Sequence, residues 1–112
     1  MKFTEYRSSG LTVLRPMHMR LDASIAPTLR EALIDRIIKG EQSIILDLGE
    51  VTFMDSSALG ALIAAAKRIG PTGTIAVAAL ATPVAKLFSV TRMDRVFSVN
   101  ATVQDAVKAL VG

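Results

Sequence analysis

The sequence predicts an α/β fold: a small mixed sheet of about four to five strands packed against about four helices. Three observations carry this. Short apolar runs of strand length alternate with longer segments whose apolar residues recur at helical spacing. The run Ser43-Ile44-Ile45-Leu46-Asp47-Leu48 is almost continuously apolar, as in a strand covered on both faces. Helices lie between strands, which imposes right-handed crossovers and parallel pairing. With 112 residues, 51% of them hydrophobic, the chain is sized for a single domain, 1–112, with one modest core.

In chain order, Lys2 to Arg7 and Leu11 to Met17 read as strands joined by a tight turn at Ser8-Ser9-Gly10, where Gly10 can take positive φ. Pro16 lacks a ladder donor and marks an edge, a bulge or the strand's end. A helix follows Asp22, with Ser24 as N-cap and Pro27 in its first turn. Its core stripe is Ile25, Leu29, Leu33 and Ile37, and Gly40 ends it. After the Ser43–Leu48 strand, a second helix runs from Ser57 to Ile69 and stops at Gly70-Pro71. Thr74 to Ala79 is a strand. Thr82-Pro83 opens a third helix carrying Val84, Leu87 and Phe88. Val96 to Val99 is a short strand, and Val103 to Val111 a last amphipathic helix.

Composition removes several function classes. There is no cysteine, hence no disulfide, thiolate metal site or thiol catalysis, and the single histidine, His18, rules out a multi-histidine metal site. Neither a metal nor a cofactor is expected. No apolar stretch approaches the ~20 residues needed to span a bilayer. No signal peptide is visible either, so a cytoplasmic location is expected. The net charge is +3, but the basic residues are scattered among acids, as in Arg30-Glu31 and Asp94-Arg95. A nucleic-acid surface needs a basic cluster with aromatics to stack bases, and neither is present.

The chemistry concentrates at Phe53-Met54-Asp55-Ser56-Ser57-Ala58-Leu59-Gly60. Asp55, Ser56 and Ser57 fall where the second helix begins, and each can accept hydrogen bonds from its free N–H groups. On local chemistry they are caps. The same N–H groups and the helix dipole also favour a phosphate. The helix itself is apolar nearly all round. Leu59, Leu62, Ile63, Ala66 and Ile69 form the wide side expected to meet the sheet. Ala58, Ala61 and Ala65, with Gly60 and Ala64, form a small-residue side, open to solvent or to a partner backbone.

This octapeptide, preceded by Leu48 and Val51, resembles the signature of STAS-domain anti-sigma factor antagonists. The resemblance extends over the chain. Leu21-Asp22 is similar to the family's Gly-x-(Leu/Ile)-Asp element, Thr82 to Phe88 to its Pro-containing third helix, and Thr91 to Phe97 to its Ser/Thr-Gly-Leu-Asp-Lys-Ile-Phe stretch. Three residues depart: Met19, Ala58 and Arg92 stand where glycine is usual. Met19 bears on how Asp22 is placed relative to Ser56, and Ala58 adds a methyl at the rim of the partner surface.

The resemblance implies a phosphorylation-switched binding module without enzymatic activity. Ser56, the serine directly after the aspartate, is implied as phosphoacceptor. Asp55, Ser57, Ala58, Asp22 and Ala61 would support it and form the partner surface. The implied partners are a Ser/Thr kinase that doubles as an anti-sigma factor and brings its own ATP, and a metal-dependent Ser/Thr phosphatase. Nucleic acid and membrane are not expected as partners, and the chain should be a monomer or weak dimer. An alternative keeps the fold as a structural or regulatory subunit of a transporter or larger signalling assembly. That role does not require two serines after Asp55. A serine hydrolase lacks support: the Gly-x-Ser-x-Gly elbow is absent, and so is a Walker-type loop.

Overall fold

In the computed structural model, which describes residues 1–111, the chain opens with a hairpin. Strands β1 (Phe3–Ser8) and β2 (Leu11–Pro16) pair antiparallel around Ser9 and Gly10, both at positive φ. Two consecutive left-handed residues give the twist that matches flanking strands. Pro16 closes the strand: its missing N–H lies beyond Leu14, the last β2 residue paired with the next strand in the sheet.

That strand is β4 (Ser43–Asp47). With β6 (Thr74–Ala78) and β7 (Ser98–Asn100) it completes a five-stranded mixed sheet in the order β1-β2-β4-β6-β7, every pair after the hairpin being parallel. Four helices pack against it: α1 (Ala26–Ile38), α2 (Ser56–Ile69), α3 (Thr82–Val90) and α4 (Val103–Val111). This is the predicted fold class.

The alternation along β4 explains its apolar run. Ile44 and Leu46 join Leu29, Leu33, Leu59, Leu62, Val84 and Phe88 in the larger core, on the face covered by α1, α2 and α3. Ile45 points the other way, toward Val13, Ala76, Ala78 and Ala106 beneath α4. Each fully buried Leu or Ile contributes about 1.5–3 kcal/mol. Gly40, at φ 104°, ends α1 as expected: its N–H reaches the Ile37 carbonyl, and Glu41 N–H reaches that of Arg36. These paired bonds satisfy carbonyls the helix would otherwise leave open.

Four expectations shift. Ser24 is not the N-cap of α1; Ile25 holds that position without a side-chain cap, and Ser24 bonds to Asp22 instead. Helix α2 starts at Ser56, one residue early. Ala79 leaves β6 at φ 61°. Strand β7 covers Ser98–Asn100, not Val96–Val99, because a 3-10 turn over Met93–Arg95 takes the chain up to Val96. Phe97 then drops into the core, its ring edge-on to Phe88 at 5.8 Å.

One pair of elements was not anticipated. Arg20–Leu21 (β3) and Phe53–Met54 (β5) form a separate two-residue parallel ladder. It positions the site.

Candidate functional site

The connection from β4 into α2 is pinned at both ends. Leu48, Val51 and Met54 are buried in the core, so the loop between them is anchored by apolar side chains. Its backbone is held by the strand before α1. Met19 carbonyl accepts from Thr52 N–H at 2.8 Å and Phe53 N–H at 3.1 Å, and Leu21 carbonyl accepts from Asp55 N–H at 3.1 Å. Met19 does this without positive φ, which among described non-glycine residues occurs only at Ser9, Ala79 and Arg92. The glycine usual at this position is therefore not needed here.

Asp55 is the N-cap of α2. Its backbone is extended (φ −102°, ψ −179°) and its Oδ1 accepts the Ala58 N–H at 3.0 Å. Ser56 and Ser57 are the first two helical residues, both exposed. Because Asp55 caps, the serine hydroxyls are not consumed in capping. They stand at the positive end of the helix dipole, beside the helix's first free N–H groups.

Asp22 is the second carboxylate at this end of the sheet. Leu21 pairs with Met54, so Asp22 and Asp55 leave the ladder side by side, and Ser56 follows directly. Oδ1 of Asp22 accepts the Ser24 hydroxyl at 2.6 Å and the Ser24 N–H at 3.1 Å. These bonds, the hydroxyl first, hold the carboxyl below its ordinary value, with a smaller contribution from Arg20. The Arg20 guanidinium lies 4.0 Å from Asp22 Oδ2 and 4.1 Å above the Phe53 ring, a cation–π contact.

The small-residue side of α2 divides in two. Ala58 is fully buried and Ala61 is 5% exposed, which corrects the expectation of an open surface at both. The methyl at Ala58 faces the core and not a partner, because α1 packs over this side of α2. What stays open is Ser56, Ser57 and Gly60, with Ala64 partly so. Ser57, Gly60, Ala61 and Ala64 line a groove of about 540 Å³ whose other wall is Ala23, Ala26, Pro27, Arg30 and Ile34 of α1 and its lead-in. It continues toward Lys67 and Arg68. Sequence reading missed that wall, along with Arg20 and Phe53. The alanines at 23 and 26, spaced to face Gly60 and Ala64, were the available signal.

His18 does not approach catalytic form. Its Nε2 accepts the Lys2 N–H at 2.8 Å, so the lone pair a general base would need is engaged.

Comparison with known proteins agrees with this architecture. The sequence model of the STAS domain matches residues 5–106. The chain is similar to the crystal structure of an anti-sigma factor antagonist from Mycobacterium paratuberculosis (23% identity, 96% of this chain and 92% of that one, TM-score 0.87). It also resembles the Bacillus cell fate determinant SpoIIAA in its phosphorylated form (20% identity, 97% and 99%, TM-score 0.73). A sulfate transporter family protein from Wolinella succinogenes is similar as well (15% identity, 91% and 85%, TM-score 0.74).

Proposed function

This chain belongs to the STAS domain family, and on that premise we propose that it is an anti-sigma factor antagonist switched by phosphorylation of Ser56. Unphosphorylated, it binds a Ser/Thr kinase that is also an anti-sigma factor and so frees the client. Phosphorylated, it lets that partner go, and a metal-dependent Ser/Thr phosphatase resets it. The protein is the substrate in this cycle, not the enzyme; ATP belongs to the kinase. The setting is the cytoplasm, and no helix among the described residues is long and apolar enough to cross a membrane.

The observation that carries this reading is the division of labour at the start of α2. Asp55 supplies the cap, bonding to Ala58 N–H, so the Ser56 hydroxyl remains exposed and free for transfer. Asp22, held ionised by Ser24, flanks it and keeps the lead-in to α1 ordered. The groove from Ser57 along Gly60 and Ala64 gives a partner close access beside the serine.

Incubation with a candidate kinase and ATP tests it. The protein should gain one phosphate (about 80 Da, a single group carrying about −1.5 to −2 charges), mapped to Ser56 and absent in Ser56→Ala. Phosphate on Ser57 moves the acceptor by one residue. No transfer, with co-purification of membrane-transport components, favours the transporter-subunit role that the Wolinella likeness brings into view.

A further inference from the structure

We infer that the outer edge of β1 pairs with β1 of a second copy of this chain, making a two-fold dimer with one continuous sheet. In the sheet order β1 is terminal, and its middle residues Thr4 to Arg7 are all exposed. Lys2 carbonyl accepts the Met17 N–H, so even-numbered residues of β1 bond inward to β2. Phe3, Glu5 and Arg7 therefore aim their N–H and C=O groups outward, unpaired by any strand among the described residues.

Three antiparallel alignments place the outward groups of Glu5 or Arg7 opposite one another. One faces Glu5 with Glu5, and another faces Arg7 with Arg7. Like charges directly opposite are destabilising. The third sets Glu5 against Arg7 of the second copy and Arg7 against its Glu5, with Tyr6 meeting Tyr6 on the two-fold axis. Opposite residues there are hydrogen-bonded pairs, exchanging both N–H···O bonds. The surrounding charges fit the same register. Glu5 already meets Arg36 at 2.6 Å and Arg7 meets Glu41 at 2.9 Å. The dimer thus strings Arg36, Glu5, and then Arg7 and Glu41 of the second copy, in alternating sign.

Charged residues ordinarily protect an edge strand from partners. Here their order matches them to their own two-fold image. Tyr6, 44% exposed, is the apolar centre. The contact leaves α2 untouched, since β2 separates β1 from β4, so each dimer presents two copies of Ser56.

Sedimentation of the full chain tests the pairing. Mass should rise above the monomer's 11.9 kDa toward twice that value. The rise should fall at roughly 0.1–1 mM protein, the range for small, transient interfaces. Over the same range the outward amides of Glu5 and Arg7 should exchange with deuterium more slowly, a readout that needs no variant. Glu5→Arg or Arg7→Glu alone should weaken association at least about tenfold, and an equimolar mixture of the two variants should associate more tightly than either alone, because each then faces opposite charges. Monomer mass up to about 1 mM, where weak interfaces associate, overturns the inference. So does a dimer whose Glu5 and Arg7 amides exchange as freely as in dilute protein.

Discussion

Asp55 caps α2 and, in the proposed switch, also supports Ser56; substitution tests both roles. As a cap it satisfies the Ala58 N–H, and its loss should cost about 1 kcal/mol. For a domain near this size that lowers Tm by about 4–8 °C. Asp55→Ala should therefore stay folded, melt a few degrees earlier and accept phosphate more slowly, because the first turn no longer holds Ser56 rigidly. Wild-type stability and wild-type transfer together would show that Asp55 does neither job. Arg92 offers the opposite change. It sits at φ 60°, where L-residues other than Gly, Asn and Asp are strained by roughly 1–2 kcal/mol. Arg92→Gly relieves that strain but enlarges the unfolded ensemble, so a net gain of about 0.5–1 kcal/mol is expected, read as a raised denaturation midpoint. Asp22 ties stability to pH. Its carboxyl is lowered from 3.8 by Ser24 and, less, Arg20, so its contribution is full above that value and fades as pH falls through the lowered one. Asp22→Asn, which cannot titrate, should make the acid limb of stability below about pH 4 slightly shallower, Glu41 with its own lowered carboxyl remaining, and leave the neutral range unchanged in slope.

At the scale of the element, α2 is the longest helix packed into the core and, in the proposed function, the platform for the switch. A phosphate on Ser56 gains about 0.3–1 kcal/mol from the helix N-terminus, up to about 2 in good geometry. Asp55 and Asp22 nearby subtract from this by like-charge repulsion. The sum is close to zero, so Ser56→Asp should keep its Tm within a few degrees in a thermal melt. Leu62→Ala, by contrast, removes a fully buried side chain from the same helix and should cost about 2–5 kcal/mol. These two variants separate the exposed start of α2 from its buried body. Much of this was legible in the residues. The cap cluster, the Gly70 stop and the β4 run each follow a local rule. The β3–β5 ladder was not, because two residues per strand leave no period to detect. Nor was the division of the alanine side: alanine suits a packed interface and an open face equally, and only the placement of α1 decides that Ala58 is inside. Val96 to Val99 misled because an apolar run can be cut by a 3-10 turn that no residue in it announces.

For the whole molecule, the parallel order of the sheet gathers the candidate site at one end. Strands β2 and β4 both finish there, and the chain leaves them through β3 and β5 into α1 and α2. Asp22 and Ser56, far apart in sequence, are thereby brought to one rim. The position agrees with the general tendency of open α/β sheets to place sites beyond the carboxyl ends of their strands. The opposite face is closed by α4, and the β1 edge is left for other contacts. Phosphorylation at the rim should act on the interface and spare the fold. A partner that packed against a neutral hydroxyl must then desolvate a group of about −1.5 to −2 charges. Unpaired charge in a buried contact costs roughly 2–5 kcal/mol, or about 30- to several-thousand-fold in affinity. The most direct measurement is calorimetric titration of the kinase with unmodified and Ser56-phosphorylated protein, each with its melting curve. The account predicts at least about a tenfold loss of affinity with Tm held within a few degrees. Undiminished binding by the phosphorylated form, or a large fall in its Tm, would contradict it.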